Sequence, residues 1–479
     1  MYRSSTVRLV LCVLFLTALS LLGLAHTAIA QELEPAAALT GKAGGLTSEQ
    51  VAKRARATSF SAEQKKHEVE AAAAQLDKTL YDFFPRLSVS FSYARLSEVE
   101  SSSLGNIVVA PGAEPGVLGP TPTLAAAPLK FDSLRNSTSL SASLALPVSD
   151  YVFRLFQAHQ GAKAQLESSQ LSLEASEQKA AYDARALYYD WVRAELNAAV
   201  AQQNLDLGRE HLARVQALAA AESASEADVA RVEATVASSE LVVTQAQNLA
   251  LLQRERIGIA LHDGAKRDFA IGEDFSSTLP ARPELNDIAG LTNTALQRRP
   301  ELRALSRAAL AYEKQADVAR SIAYPRLDAS AQNTYANPNQ RYFPQKDQFN
   351  NSWQLGVQLS YAPVDTFSGQ SQARAASAKA KASEAQRAEL ADAVRTEVTD
   401  AVLSHRNAQA SIESSTRRLA AAETSYRARR ERFLADKATT VELTEAQTEL
   451  FNAKLEAVQA RVAIRAARAR LAYVTGQGR

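Results

Sequence analysis

Thiols are almost missing from this chain: its 479 residues include one cysteine, Cys12. Cys12 sits in an apolar N-terminal run, "LVLCVLFLTALSLLGLA", which follows Arg3 and Arg8 and leads to "AIA", with the small residues Ala28 and Ala30. Basic start, apolar middle and small-residue end are the three parts of a secretory signal, expected to be cut before Gln31. The mature chain would then hold no thiol, which excludes disulfides and thiolate chemistry. Leu11, ahead of Cys12, is not the small residue a lipoprotein signal requires, so no lipid anchor is expected.

Charge of one sign is lacking too. Lys and Arg number 54 against 52 for Asp and Glu, a formal net charge of +2. Nucleic-acid binders carry basic stripes, so no nucleic-acid partner is expected. Beyond the N-terminal run no stretch offers roughly eighteen uninterrupted apolar residues, so any passage through a membrane must be made by strands. Gly-rich phosphate loops and nucleophile motifs are missing. Of the six histidines, the five after the expected signal (His67, His159, His211, His262 and His405) are far apart and lack ligand spacing. The expectation is therefore a non-enzyme with no catalytic residue, metal or cofactor, in which any ATP-driven step belongs to a partner.

What is present is a plan written twice. "FFPRLSVSFSY" (Phe83–Tyr93) matches "AYPRLDASAQNTY" (Ala323–Tyr335), and "LSASLALPVSDY" (Leu140–Tyr151) matches "LGVQLSYAPVDTF" (Leu355–Phe367). "ESASEADVARVEA" (Glu222–Ala234) matches "DKATTVELTEAQT" (Asp436–Thr448), and the interval from Pro147 to Asp228 nearly equals that from Pro363 to Glu442. Each copy reads as a lead-in helix (Leu46–Phe84; Pro300–Tyr324), a strand, a loop, a second strand and a long helical hairpin. The boundaries are a signal at 1–30, a flexible segment at 31–45, a first repeat at 46–262, a linker at 263–299 and a second repeat at 300–475. Strands fall at about 86–96, 138–147, 326–336 and 352–362, and hairpin tips at about 222–226 and 436–440.

In the first strand Leu87, Val89, Phe91 and Tyr93 alternate with serines, and in the fourth Trp353, Leu355, Val357, Leu359 and Tyr361 alternate with Gln, Gly and Ser. Aromatics at the ends of an apolar row, here Tyr93, Trp353 and Tyr361, suit the two interfaces of a bilayer, as in outer-membrane barrels. The same alternation fits a half-buried soluble sheet. The Pro-, Gly- and Ala-rich insertion Gly105–Lys130 reads as a mobile loop. From about Asp150 to Ala221 no proline interrupts the chain, which gives about 105 Å of helix at 1.5 Å per residue. Apolar positions three and four apart mark these helices as members of a bundle.

On these residues the sequence resembles the TolC-like outer-membrane efflux channels. "VELTEAQTELFNAKLE" (Val441–Glu456), "RRPELRAL" (Arg298–Leu305) and "FSGQSQAR" (Phe367–Arg374) carry the likeness beside the duplicated plan. The resemblance implies a mainly α fold of long coiled-coil hairpins forming a periplasmic barrel, with four strands per chain. Three chains would supply twelve strands and close a barrel without edges. It implies an outer-membrane exit duct of a tripartite efflux or type I secretion system, extending through the periplasm, with 263–299 as an equatorial linker. Its partners would be two further copies, a periplasmic adaptor, an inner-membrane pump and outer-membrane lipid. A coiled-coil adaptor or structural stalk without a channel is the alternative; an adaptor has one hairpin per chain, and a stalk lacks paired strands.

The resemblance also assigns residues. Glu222, Ser223, Ala224, Ser225, Asp228, Asp436, Lys437, Ala438 and Thr439 would form the hairpin tips that meet the adaptor. Family turns usually carry Gly where Glu222 and Asp436 stand, so these turns are expected to be built differently. Glu442 and Glu445 fall on positions of acidic rings at the pore entrance, which attract cations. Their spacing alone equally fits a solvated acidic patch after a helix start, where carboxylates favour the macrodipole. Phe433 and Ala438 replace a Tyr and an Arg that clasp neighbouring hairpins in some members, so a closed entrance would be held by other contacts.

Overall fold

Apolar residues alternating with polar ones suit a strand whose two faces meet different surroundings, and the computed structural model places four strands of this pattern in one sheet. The structure describes residues 39–97, 105–111, 120–128, 134–262, 269–277, 279–280, 285 and 287–477. The expected signal and its cleavage site lie outside the described residues, as does the middle of the insertion. In chain order the elements are α1 (Ser48–Thr58), α2 (Phe60–Tyr81), β1 (Arg86–Arg95), β2 (Asn106–Val109), β3 (Ala125–Pro128), β4 (Asn136–Pro147), α3 (Phe156–Ala220) and α4 (Glu226–Ala260). Then come α5 (Ile288–Arg298), α6 (Pro300–Arg320), β5 (Arg326–Asn337), β6 (Asn350–Ser360), α7 (Pro363–Leu434) and α8 (Thr440–Val474). A π-helical turn, Tyr151–Leu155, leads into α3.

The described residues divide into two compact units, one within 69–169 and 305–386, the other within 1–68, 170–304 and 387–479. The first unit holds the sheet, antiparallel in the order β1-β4-β5-β6. Its register sets Leu87 opposite Leu144, Val89 opposite Ala142 and Phe91 opposite Leu140, then Ala331 opposite Leu355 and Ala329 opposite Val357. One face is thus apolar and the other is Ser, Thr and Gln. On the polar face Ser88 and Ser143 share a hydrogen bond of 2.7 Å, and Ser92 and Ser139 one of 2.9 Å. Among the described residues no second layer covers the apolar face: Leu87 is 71% exposed and Val357 74%. A soluble sheet would bury that face, so the half-buried alternative does not describe this unit. Helices of this unit approach closely at Gly369, where a Cβ would come within 2.8 Å of the Ala319 carbonyl oxygen.

Two expectations change here. The sequence of the insertion reads as a mobile loop, yet Asn106–Val109 and Ala125–Pro128 pair antiparallel; four-residue strands are too short to give a period. The first lead-in helix reads as continuous in the sequence, yet Ser59 takes an extended conformation and divides α1 from α2.

The second unit holds α4, α8 and the greater parts of α3 and α7. Tyr188, Trp191 and Val192 are fully buried against Ile257, Leu261, Val458 and Val462. Residues 39–45, expected to be flexible, pack into this core: Leu39 is buried, and Leu46 bridges Ile271. Only glycine fits there, because a Cβ on Gly272 would lie 2.3 Å from the Gly45 carbonyl oxygen. The linker 263–299, expected to be a joining segment, contains α5, whose Asp287 side chain caps Gly290 N at 2.8 Å. Arg465 ties the linker down, donating to the Asp274 carbonyl at 2.6 Å with its guanidinium over the Phe275 ring.

Candidate functional site

Each helical hairpin must satisfy the carbonyls that end one helix and the amides that start the next. Both tips solve this in the same way. At the first, Ser223 N donates to Leu218 O at 2.8 Å and Glu222 N to Ala219 O at 3.0 Å. At the second, Lys437 N donates to Arg432 O at 2.8 Å and Asp436 N to Phe433 O at 3.1 Å. This paired pattern is a Schellman motif, which needs a left-handed residue. Glu222 and Asp436 supply it, with φ of 56° and 55°. The turns therefore keep the geometry that glycine would serve, and the expectation of a different turn is corrected: a Cβ is tolerated there.

A capping box follows in each case. Ser225 Oγ accepts from Asp228 N at 3.1 Å, and Asp228 Oδ2 accepts from Ser225 N at 3.3 Å. Thr439 Oγ1 accepts from Glu442 N at 3.3 Å, and Glu442 Oε2 accepts from Thr439 N at 2.9 Å. The Ser225 hydroxyl and amide hold the Asp228 carboxyl below its usual range. Ser223, Ser225, Asp436, Lys437 and Thr439 are exposed, while Ala224 and Ala438 sit half-buried against the core beneath the tips.

Glu442 and Glu445 are both exposed and stand one helical turn apart on α8. They are not equivalent. Glu442 is tied to its own helix start, whereas Glu445 reaches towards Arg429 on α7 at 3.8 Å. Arg429 also donates to the Glu442 carbonyl oxygen at 3.2 Å. Sequence reasoning missed Arg429, although "RARRERF" (Arg427–Phe433) places a basic run just before the turn. In the first hairpin Asp228 is the counterpart of Glu442, and Arg231 stands where Glu445 would.

Phe433, expected to mark a missing clasp, is a core residue, 6% exposed. Its ring meets His211 edge-on at 5.2 Å, and both belong to packing within one chain. His211 Nε2 lies 3.5 Å from Thr444 Oγ1, and Nδ1 has no hydrogen-bond partner among the described residues. Burial pushes the His211 pKa down, opposed by the nearby Thr440 backbone.

The three expected girdle aromatics are all exposed. Tyr93 and Trp353 lie towards the end of the sheet where β5 and β6 are joined, and Tyr93 Oη donates to Asn136 Oδ1 at 3.2 Å. Tyr361 follows the opposite end of β6. Tyr335, stacked on Phe349, and Tyr324, against Phe153, extend the two groups. Among the described residues no helix is long and apolar enough to cross a membrane, and no cluster of His, Cys, Asp and Glu could hold a metal ion.

Comparison with known proteins agrees with this geometry. Residues 291–477 match the family model described as outer membrane efflux protein. Among curated proteins none matches the chain. The outer-membrane channel OprN superposes with a TM-score of 0.69 at 20% identity, over 93% of this chain and 95% of its own. The outer membrane protein VceC of Vibrio cholerae gives 0.71 at 16%, over 90% and 96%. The CmeC outer membrane channel of Campylobacter jejuni gives 0.72 at 13%, over 91% and 89%. The fold is that of the TolC-like outer-membrane channels, and it is not that of a coiled-coil stalk.

Proposed function

Starting from a chain whose residues 291–477 match the family model of an outer membrane efflux protein, we propose that it is one protomer of a homotrimeric exit duct in the outer membrane. The observation that carries this reading is the sheet. Its apolar face is uncovered, and β1 and β6 are its two edges. In hydrocarbon, each backbone group left without a partner costs several kcal/mol, so an open sheet cannot stand there. Three chains joined β1 to β6 make twelve strands without an edge, apolar outside and polar within.

The long hairpins would extend the duct through the periplasm, with the tips around Glu222 and Asp436 facing a periplasmic adaptor and, through it, an inner-membrane pump. Glu445, with Glu442 behind it, gives the entrance negative charge that Arg429 partly offsets. The duct is passive: energy and choice of cargo belong to the pump, and small molecules or polypeptides would pass through it.

Reconstitution tests the reading. Protein extracted from outer membranes should run as a heat-modifiable trimer and produce discrete conductance steps in a planar bilayer. A monomer recovered from the soluble periplasmic fraction, without conductance, would overturn it.

A further inference from the structure

β5 and β6 are joined by Pro338–Phe349, at the end of the sheet away from the helices. Two side chains fix where this segment goes. Asn339, 3% exposed, donates to Ser352 Oγ at 2.9 Å and to the Asn350 carbonyl oxygen at 3.0 Å. Arg341 donates to the Trp353 carbonyl oxygen at 2.9 Å and lies 3.5 Å from Gln354 Oε1. Ser352 and Gln354 flank Trp353 along β6, and in a strand alternate side chains share a face. They belong to the polar face, opposite to Trp353, Leu355 and Val357. The segment therefore folds over the polar side of the sheet rather than away from it.

A cavity lies beneath it. Its floor is Ser92, Ser139, Gln332 and Thr334, all on the polar face, and Pro338–Arg341 form its roof. Arg341 is the one charged residue in the lining. Among the described residues no carboxylate pairs with it, since Asp347 in the same segment accepts from Asn337 Nδ2 at 2.8 Å.

We propose that Pro338–Phe349 is an inward-folded sill at the outer mouth of the duct, and that Arg341 makes that mouth selective for anions. The proposal rests on the trimeric duct above, in which the polar face lines the lumen. Three sills then bring three guanidinium groups into a narrowed, Ser- and Gln-lined opening. Rings of Arg or Lys side chains favour anions in pores of this kind. A fixed charge acts over about 10 Å at 0.1 M salt, so the effect should grow as salt falls on the sill side.

The test is single-channel recording of the full-length wild type, Arg341→Gln and Arg341→Glu in a KCl gradient. Arg341→Glu should raise the ratio of K+ to Cl− permeability on the order of twofold, Arg341→Gln should raise it less, and both shifts should be larger with dilute salt on the sill side. A second measurement does not depend on those variants folding. Because the chain after the expected signal has no cysteine, Gln340→Cys offers a single thiol, and Gln340 is exposed. A membrane-impermeant anionic methanethiosulfonate added from the sill side should cut the current of that variant and leave the wild type unchanged. Unchanged permeability ratios in both Arg341 variants, or full current after confirmed labelling of Gln340→Cys, would overturn the sill while leaving the duct intact. A wild type that forms no channel would instead overturn the duct itself.

Discussion

Glu222 and Asp436 adopt one backbone conformation, φ of 56° and 55°, each three residues ahead of the residue that caps the next helix. The duplicated plan thus reaches down to single dihedral angles. An L-residue held left-handed costs roughly 1–2 kcal/mol, and glycine escapes that cost. Glu222→Gly should therefore raise the stability of its tip. Asp436→Gly should gain less, because Asp enters this region more readily than Glu. Thermal unfolding read through hydrogen exchange at residues 218–228 checks this; faster exchange in Glu222→Gly would contradict it.

The two capping boxes should be worth about 1 kcal/mol each. Ser225→Ala and Thr439→Ala are expected to speed exchange of the first-turn amides of α4 and α8 without dissolving the bundle below. Equal exchange in wild type and variants would mean that water replaces the hydroxyls without loss.

Burial disfavours the charged form of His211, so its folded pKa lies below the unfolded value of about 6.5. The unfolded state then binds the extra proton first. Stability contributed by neutral His211 is complete above about pH 6.5 and is lost as pH falls below it. Packing of His211 on Phe433 and Thr444 should loosen as pH falls below about 6.5, and His211→Gln should remove that dependence. Exchange of residues 440–450 across this range is the readout; a pH profile unchanged by His211→Gln would contradict the assignment.

Glu442 and Glu445 should separate experimentally. Glu445→Ala is expected to reduce cation preference in single-channel recordings while leaving the tip as stable as wild type. Glu442→Ala should also destabilise the start of α8, and Arg429→Ala should increase cation preference. If Glu445→Ala and Arg429→Ala both leave selectivity unchanged, these residues form a solvated surface only.

Placing Arg at Ala142, on the apolar face between Val89 and Asn333, should hinder assembly, since a lipid-facing Arg near the midplane costs about 2–4 kcal/mol. Arg at Ser143, on the polar face, should be tolerated. Trimer yield from the two variants decides, and the reverse order would invert the faces.

Strands and hairpins were legible because their periods, near 2 and 3.6, are local properties. Pro147 and Pro363 stand where strand gives way to helix, and Gly-free tips were located from the repeat alone. What was hidden depended on contacts distant in sequence. The packing of residues 39–45 follows from Gly45 meeting Gly272, and α5 lies behind Gly290 and nearby prolines that read as linker. At the second tip, Glu442 and Glu445 were visible as a pair, but Arg429 meets them only across the turn. Phe433 looked like a lost polar clasp because sequence position does not reveal that it faces His211 within its own chain.

The central claim is that open edges β1 and β6 of neighbouring chains join to close the barrel. Single cysteines walked along β1 and β6 of the chain, which has no cysteine after the expected signal, and oxidised in intact outer membranes, test it directly. The account predicts that matched pairs yield a covalent species with the mass of three chains, restored to monomer by reductant. Monomer alone at every pair tried would contradict it.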